Sequence, residues 1–210
     1  QQTSNTNKAL NSVKFANSNT GWCAGESGLI LKTTNGGTNW ILTDFNVDLS
    51  AIGKADSQTW YIASFGKILK TTNTGLTWDT LYVELPSITR LDFINANTGF
   101  GVCKYGTFFK TTNGGQNWII DNSIWSGQTW SMDFIDENTG FAGGNQTRKT
   151  TNGGTNWNTV YNSTTNEIFT DIVFTNANTG YAVGSYGRQM KTTNAGLNWT
   201  SSTISSSGSI

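Results

Sequence analysis

The chain has 210 residues, only 12% of them charged, with 13 basic and 13 acidic side chains, no histidine and a single proline. A formal net charge of zero leaves no field to hold nucleic acid or an anionic membrane. The charged share is about half the globular norm, and the abundance of Asn, Thr, Ser and Gly suits a small secreted all-β protein. No run of about eighteen apolar residues and no basic-then-apolar leader occurs, so neither a membrane span nor a signal peptide is expected in these residues.

Residues 1–9 precede the first repeat and read as an N-terminal extension that either pairs beside the last blade or hangs loose. Residues 10–15, 22–25, 29–33 and 40–42 then form four short apolar runs separated by turn chemistry, which predicts four strands, A to D, and almost no helix. The segment Lys32-Thr33-Thr34-Asn35-Gly36-Gly37-Thr38-Asn39-Trp40 follows strand C. It returns four times, closing on Trp78, Trp118, Trp157 and Trp199 at intervals of 38, 40, 39 and 42 residues. Phe15 to Trp22 is echoed by Phe93 to Phe100, Phe134 to Phe141 and Phe174 to Tyr181, each ending Asn-Thr-Gly-aromatic, while the second copy has the worn form Gln58-Thr59-Trp60.

A four-stranded unit repeated about every forty residues is the blade of a β-propeller, because a unit that short buries its apolar faces only against neighbours. The expected fold is therefore all-β: a five-bladed β-propeller with four antiparallel strands per blade, in one domain. Its blades are 10–48, 49–86, 87–127, 128–167 and 168–210. The protein is expected to be a monomer. The Ser-rich residues 201–209 read as a linker toward another domain or as an ordinary boundary, and a start at Gln1 suits a processed secreted, cell-surface or periplasmic protein.

Five lysines (Lys32, Lys70, Lys110, Lys149 and Lys191) share one repeat position, and their stems are expected to lie over apolar surface with the ammonium groups in water. Cys23 and Cys103 fall in strand B of blades one and three, too far apart for a bridge. Two buried free thiols are expected, poor nucleophiles without a histidine to activate them. No cofactor or metal site is expected.

The repeated motif resembles the Asp-box of bacterial neuraminidase repeats, and the fuller pattern resembles the photosystem II stability and assembly factor repeats and their secreted bacterial relatives. That resemblance implies a propeller but leaves activity open, since Asp-box propellers include glycosidases, receptors, assembly factors and binding modules. Asn35, Asn73, Asn113, Asn152 and Asn194 replace the aspartate of the box in every copy. An uncharged Asn still bonds the backbone of its own turn, so the box reads as a structural staple.

Up-and-down connectivity puts A–B turns and boxes on one edge and the variable B–C turns and D–A linkers on the other, where binding residues are expected. Candidates there are Tyr105, Trp125, Trp130, Arg148 and Tyr186. Blade four is two residues short before Lys149, which should open a notch beside Trp125 and Trp130. Both tryptophans fit either a sugar-stacking surface or a plug between blades. Asp92 and Asp133 occupy one position on inner strands with Arg90 nearby, so they fit either a glycosidase carboxylate pair or charge pairing in a polar channel. The reading reached is a non-catalytic extracellular module binding a glycan at one asymmetric site. A protein- or peptide-binding assembly scaffold is the alternative, and a hydrolase using Asp92 and Asp133 the second.

Overall fold

The computed structural model describes residues 4, 6–122, 127–162 and 168–203. Its first sheet contains β1 (Leu10–Phe15), β2 (Gly21–Gly25), β3 (Leu29–Thr33) and β4 (Ile41–Asp44), and its second β5 (Leu49–Lys54), β6 (Trp60–Ser64), β7 (Lys67–Thr71) and β8 (Asp79–Tyr82). The third holds β9 (Ile88–Phe93), β10 (Gly99–Cys103), β11 (Phe108–Thr111) and β12 (Ile119–Asp121). The fourth is β13 (Thr129–Phe134), β14 (Gly140–Gly144), β15 (Gln146–Thr150) and β16 (Asn158–Asn162), and the fifth β17 (Phe169–Phe174), β18 (Gly180–Gly184), β19 (Arg188–Thr192) and β20 (Thr200–Thr203). Each sheet is built in sequence order from contiguous chain. The fold is that of a five-bladed β-propeller. Helix among the described residues is confined to the 3-10 turns Glu26–Gly28 and Ser185–Gly187, and no described helix is long and apolar enough to cross a membrane.

Two compact units are distinguished, Gln1–Gly101 with Lys110–Ile119 and Val102–Phe109 with Ile120–Ile210. Each is held by the same local chemistry. In the box, Thr33 Oγ1 accepts from the backbone N–H groups of Asn35 and Gly37 at 3.3 and 2.8 Å and donates to Asn35 Oδ1, which also accepts from the N–H of Asn39 at 2.9 Å. Thr150 and Asn152 repeat these contacts in the fourth blade, as do Thr192 and Asn194 in the fifth. Every bond that the box side chain accepts is one a neutral amide oxygen can accept, which is why asparagine replaces aspartate without loss of the turn.

The box then seats on the preceding blade. A Cβ at Gly75 would overlap the Trp22 ring, and Trp78 packs edge-on to Trp22 at 5.8 Å. The conserved spacing of lysines now has a fuller explanation than expected. Lys32 Nζ donates to Thr74 O at 2.7 Å while lying 4.8 Å from the Trp22 ring centroid. Lys70 and Tyr61 both donate to Gly114 O, at 2.8 and 2.9 Å, and Lys149, over Phe141, donates to Ala195 O at 2.6 Å. These ammonium groups are therefore not left in water. A desolvated cation bonded to the carbonyl of a box turn gains a charge-assisted bond and a ring contact together, and the lysine acts as a clasp between blades.

A–B turns use one acceptor in each blade. Asn17 Oδ1 accepts from the N–H groups of Asn19 and Thr20, both at 2.9 Å, whereas the carboxylates Asp56 and Asp136 make the equivalent pairs at 2.7 Å. Burial alone would raise both acids, but these backbone donors outweigh it and hold them below the usual aspartate value. Cys23 and Cys103 are buried and unbridged, as the spacing predicts, and burial pushes the Cys103 thiol up to about 12. The described part of the N-terminal extension engages its own blade, through a Lys8–Asp44 ion pair at 3.3 Å and Ala9 O accepting from the Glu26 N–H.

Candidate functional site

Strand A carries a register shift at its second residue in blades one, two, four and five, so Asn11, Ser50, Trp130 and Thr170 stand at one bulge position. A bulge re-aims its side chain. Small polar residues there bond nearby carbonyls: Asn11 Nδ2 donates to Leu49 O at 2.9 Å, and Ser50 and Thr170 reach Ala63 O and Val183 O at 3.4 Å. Blade four puts a tryptophan in this place. Trp130 is half-buried, its Nε1 donates to Gln128 Oε1 at 3.3 Å, and Lys104 Nζ sits 4.8 Å from its ring centroid. The same ammonium lies 5.8 Å from the Tyr105 ring. Tyr105 is exposed at the tip of the third blade's B–C turn, so one lysine joins two aromatic rings.

The backbone beneath these rings is fixed. The Thr129 N–H donates to Lys104 O at 3.0 Å, the Asn145 N–H to Gln128 O at 3.3 Å, and the Gln128 N–H to Asn145 Oδ1 at 2.9 Å. Gly127 has φ +132, a conformation that suits glycine. The fourth blade's B–C connection is the single residue Asn145, and the expected notch is present beside it. The notch encloses about 20 Å³, bordered by Gly127, Gln128, Asn145, Gln146 and Arg148. That is room for an ordered water. Arg148 is half-buried against it, bonded through Nε and Nη2 to Gln146 Oε1 at 3.1 and 2.6 Å, and desolvation pulls its pKa below the usual arginine value.

The structure thus joins Tyr105 to Trp130 through Lys104, while Gln128, Gln146 and Arg148 border the adjacent notch, all in the second unit. Lys104 stands beside Tyr105 on the variable turns that the sequence marks, whereas Gln128 and Gln146 are members that sequence reasoning did not single out. Their signal was a spacing of two residues from Trp130 and Arg148. Trp125 lies outside the described residues. Tyr186 is highly exposed at the tip of the 3-10 turn Ser185–Gly187 with φ +59, an unusual backbone for a bulky residue. Arg90 and Asp92 belong to the first unit, where Asp92 Oδ1 forms a 3.2 Å ion pair with Lys14 of β1. Asp133 Oδ2 accepts from the Phe174 N–H at 2.6 Å in the second unit. Both acids are engaged between strands A of different blades, Asp92 by an ion pair and Asp133 by accepting a backbone hydrogen bond.

The model of the family described as photosynthesis system II assembly factor YCF48 matches residues 1–128. Among solved structures, the chain is similar to YCF48 bound to D1 peptide, with a TM-score of 0.73 at 17% identity over 93% of this chain and 68% of that one. It is also similar to YCF48 from Cyanidioschyzon merolae, with a TM-score of 0.65 at 17% identity over 94% of this chain and 85% of that one. The GH74 enzyme of Niastella koreensis gives a TM-score of 0.79 at 19% identity over 95% of this chain, which spans only 38% of the enzyme. At these identities the likeness is one of fold. No curated protein matches the sequence.

Proposed function

The chain belongs to the photosynthesis system II assembly factor YCF48 family, and from that premise we propose that it is a non-catalytic module that holds a peptide segment of a protein partner. The observation that carries this reading is the Tyr105–Lys104–Trp130 group, two aromatic rings joined by one ammonium on a backbone already hydrogen-bonded in place. Aromatic anchors of this kind dominate binding energy at protein interfaces, and the backbone hydrogen bonds beneath the rings lower the ordering cost of binding. Support also comes from the relative whose structure holds a peptide. The carbohydrate reading has less in its favour, because the notch beside Arg148 has water-sized volume.

Panning the immobilised protein against a random-peptide library, with a glycan array run on the same preparation, tests this. Peptides are expected to bind and to lose about tenfold in affinity, near 1.4 kcal/mol, when Trp130→Thr installs the residue type found at the fifth blade's bulge. The array should stay silent. Glycan binding with no peptide captured, or peptides indifferent to both Trp130→Thr and Tyr105→Ala, would overturn the proposal.

A further inference from the structure

All three Asn-Gly pairs of the chain, beginning at Asn35, Asn113 and Asn152, occupy one place in the box, where the other two copies read Asn73-Thr74 and Asn194-Ala195. An asparagine before glycine is open to attack by the next backbone nitrogen, because a residue without Cβ does not crowd the approach to the side-chain amide carbon. Asn35 and Asn152 are exposed and Asn113 is half-buried, so water reaches all three. Their Oδ1 atoms accept from the box threonine hydroxyl and from the backbone N–H four residues on. Their Nδ2 atoms, the nitrogens such an attack would expel, make no hydrogen bond among the described residues. Asn73 differs, for its Nδ2 donates to Thr77 Oγ1 at 2.8 Å.

The attacking nitrogen, by contrast, is held. Gly36 N donates to Asn19 O, Gly114 N to Asn97 O and Gly153 N to Asn138 O, each at 2.8 Å, so every one of these boxes is tied to the A–B turn of its own blade. The accepting carbonyl is placed in turn by the A–B acceptor. Asn95 Oδ1 accepts from the N–H groups of Asn97 and Thr98 at 2.9 and 2.8 Å, and Asp136 Oδ1 from those of Asn138 and Thr139, both at 2.7 Å.

We propose that the three Asn-Gly boxes are sites of spontaneous deamidation, and that the A–B turn is the lock that holds the reaction off. When turn and box part, the glycine nitrogen gives up its proton and bonds to Cγ, the Cγ–Nδ2 bond breaks, and ammonia leaves with that proton. Water then opens the cyclic imide. Cleavage between the nitrogen and Cγ leaves an aspartate, whose carboxylate oxygen accepts the bonds the amide oxygen accepted, so the box closes again with the residue that asparagine replaces. Cleavage at the main-chain carbonyl leaves an isoaspartate, whose backbone runs through Cβ and is one atom too long for those bonds. Each conversion consumes one water and adds one negative charge to a chain of zero formal charge.

Peptide mapping by mass spectrometry, on protein held in mildly alkaline buffer with and without denaturant, reads each box separately. In the folded chain all three conversions are expected to run slower by about tenfold or more, the factor set by about 1.4 kcal/mol of local opening free energy. Asn95→Ala should speed conversion at Asn113 alone and Asp136→Ala at Asn152 alone, because each loosens the turn of one blade. Asn152→Asp should keep the wild-type circular dichroism spectrum. Folded boxes that convert as fast as the denatured chain, an alanine variant that leaves its own box at the wild-type rate, one that speeds all three alike, or an Asn152→Asp chain that does not fold overturns the proposal. The wild-type comparison needs no variant and decides alone if an alanine variant fails to fold.

Discussion

Trp130 shows how one residue turns a repeated structural position into a recognition element. Its counterparts Asn11, Ser50 and Thr170 spend their polar atoms on nearby carbonyls; the indole instead extends over the surface and takes a lysine above it. Sequence alone marked Trp130 as unlike its repeats but left two roles open, because a bulge is a property of hydrogen-bond register and no residue pattern here announces it. A second residue-scale difference is the A–B turn acceptor, Asn in the first blade and Asp in the second and fourth. Asp56 and Asp136 are held below the usual aspartate value of 3.8, so the stabilisation from their charged form is present above that value and is lost as pH falls through their lower folded values. Asp56→Asn combined with Asp136→Asn should therefore flatten the acid limb of a plot of melting temperature against pH while leaving it folded near neutrality. An acid limb as steep as the wild type's would show that other carboxylates control it.

At the scale of the element, the box hairpin carries most of the local order, and nearly all of it was legible. Strand positions, the Thr-Asn-Gly turn and the neutral replacement of aspartate follow from side-chain chemistry within nine residues. The lysine clasp was not legible, because its acceptor lies 42 residues away in Lys32 and Thr74 and belongs to another blade. Two changes test the division of labour. Thr150→Val keeps the shape but removes the acceptor for the buried Gly154 N–H, and an unsatisfied buried donor costs about 1–3 kcal/mol. Trp78→Ala removes a ring packed edge-on to both Trp22 and Phe45, with an expected loss of about 3 kcal/mol. Chemical denaturation measures both. If Thr150→Val unfolds at the wild-type denaturant concentration, the threonine is not what holds the turn; if Trp78→Ala does so, the inter-blade ring contact is dispensable.

At the scale of the molecule, period and turn chemistry led to the five-bladed fold, since only one architecture uses four strands every forty residues. Binding edge and ligand class were harder to read. Tyr105 and Trp130 were candidates from their place on the variable edge, but their connection through Lys104 depends on which side chains neighbouring blades bring together. The notch beside the shortened fourth-blade turn holds about 20 Å³, room for an ordered water.

The clasp has an evolutionary corollary. In the first, second and fourth blades one forty-residue segment supplies a lysine and ring that hold the next blade's glycine turn, so a tandem duplication brings its own joints with it. Such a chain can gain or lose a blade by unequal recombination without a single compensating substitution at the seam. Divergence is then free to concentrate on the edge away from the boxes, where Trp130 stands at the position that holds Asn11, Ser50 and Thr170 in other blades, and the length of the array and the chemistry of its rim become independently heritable traits.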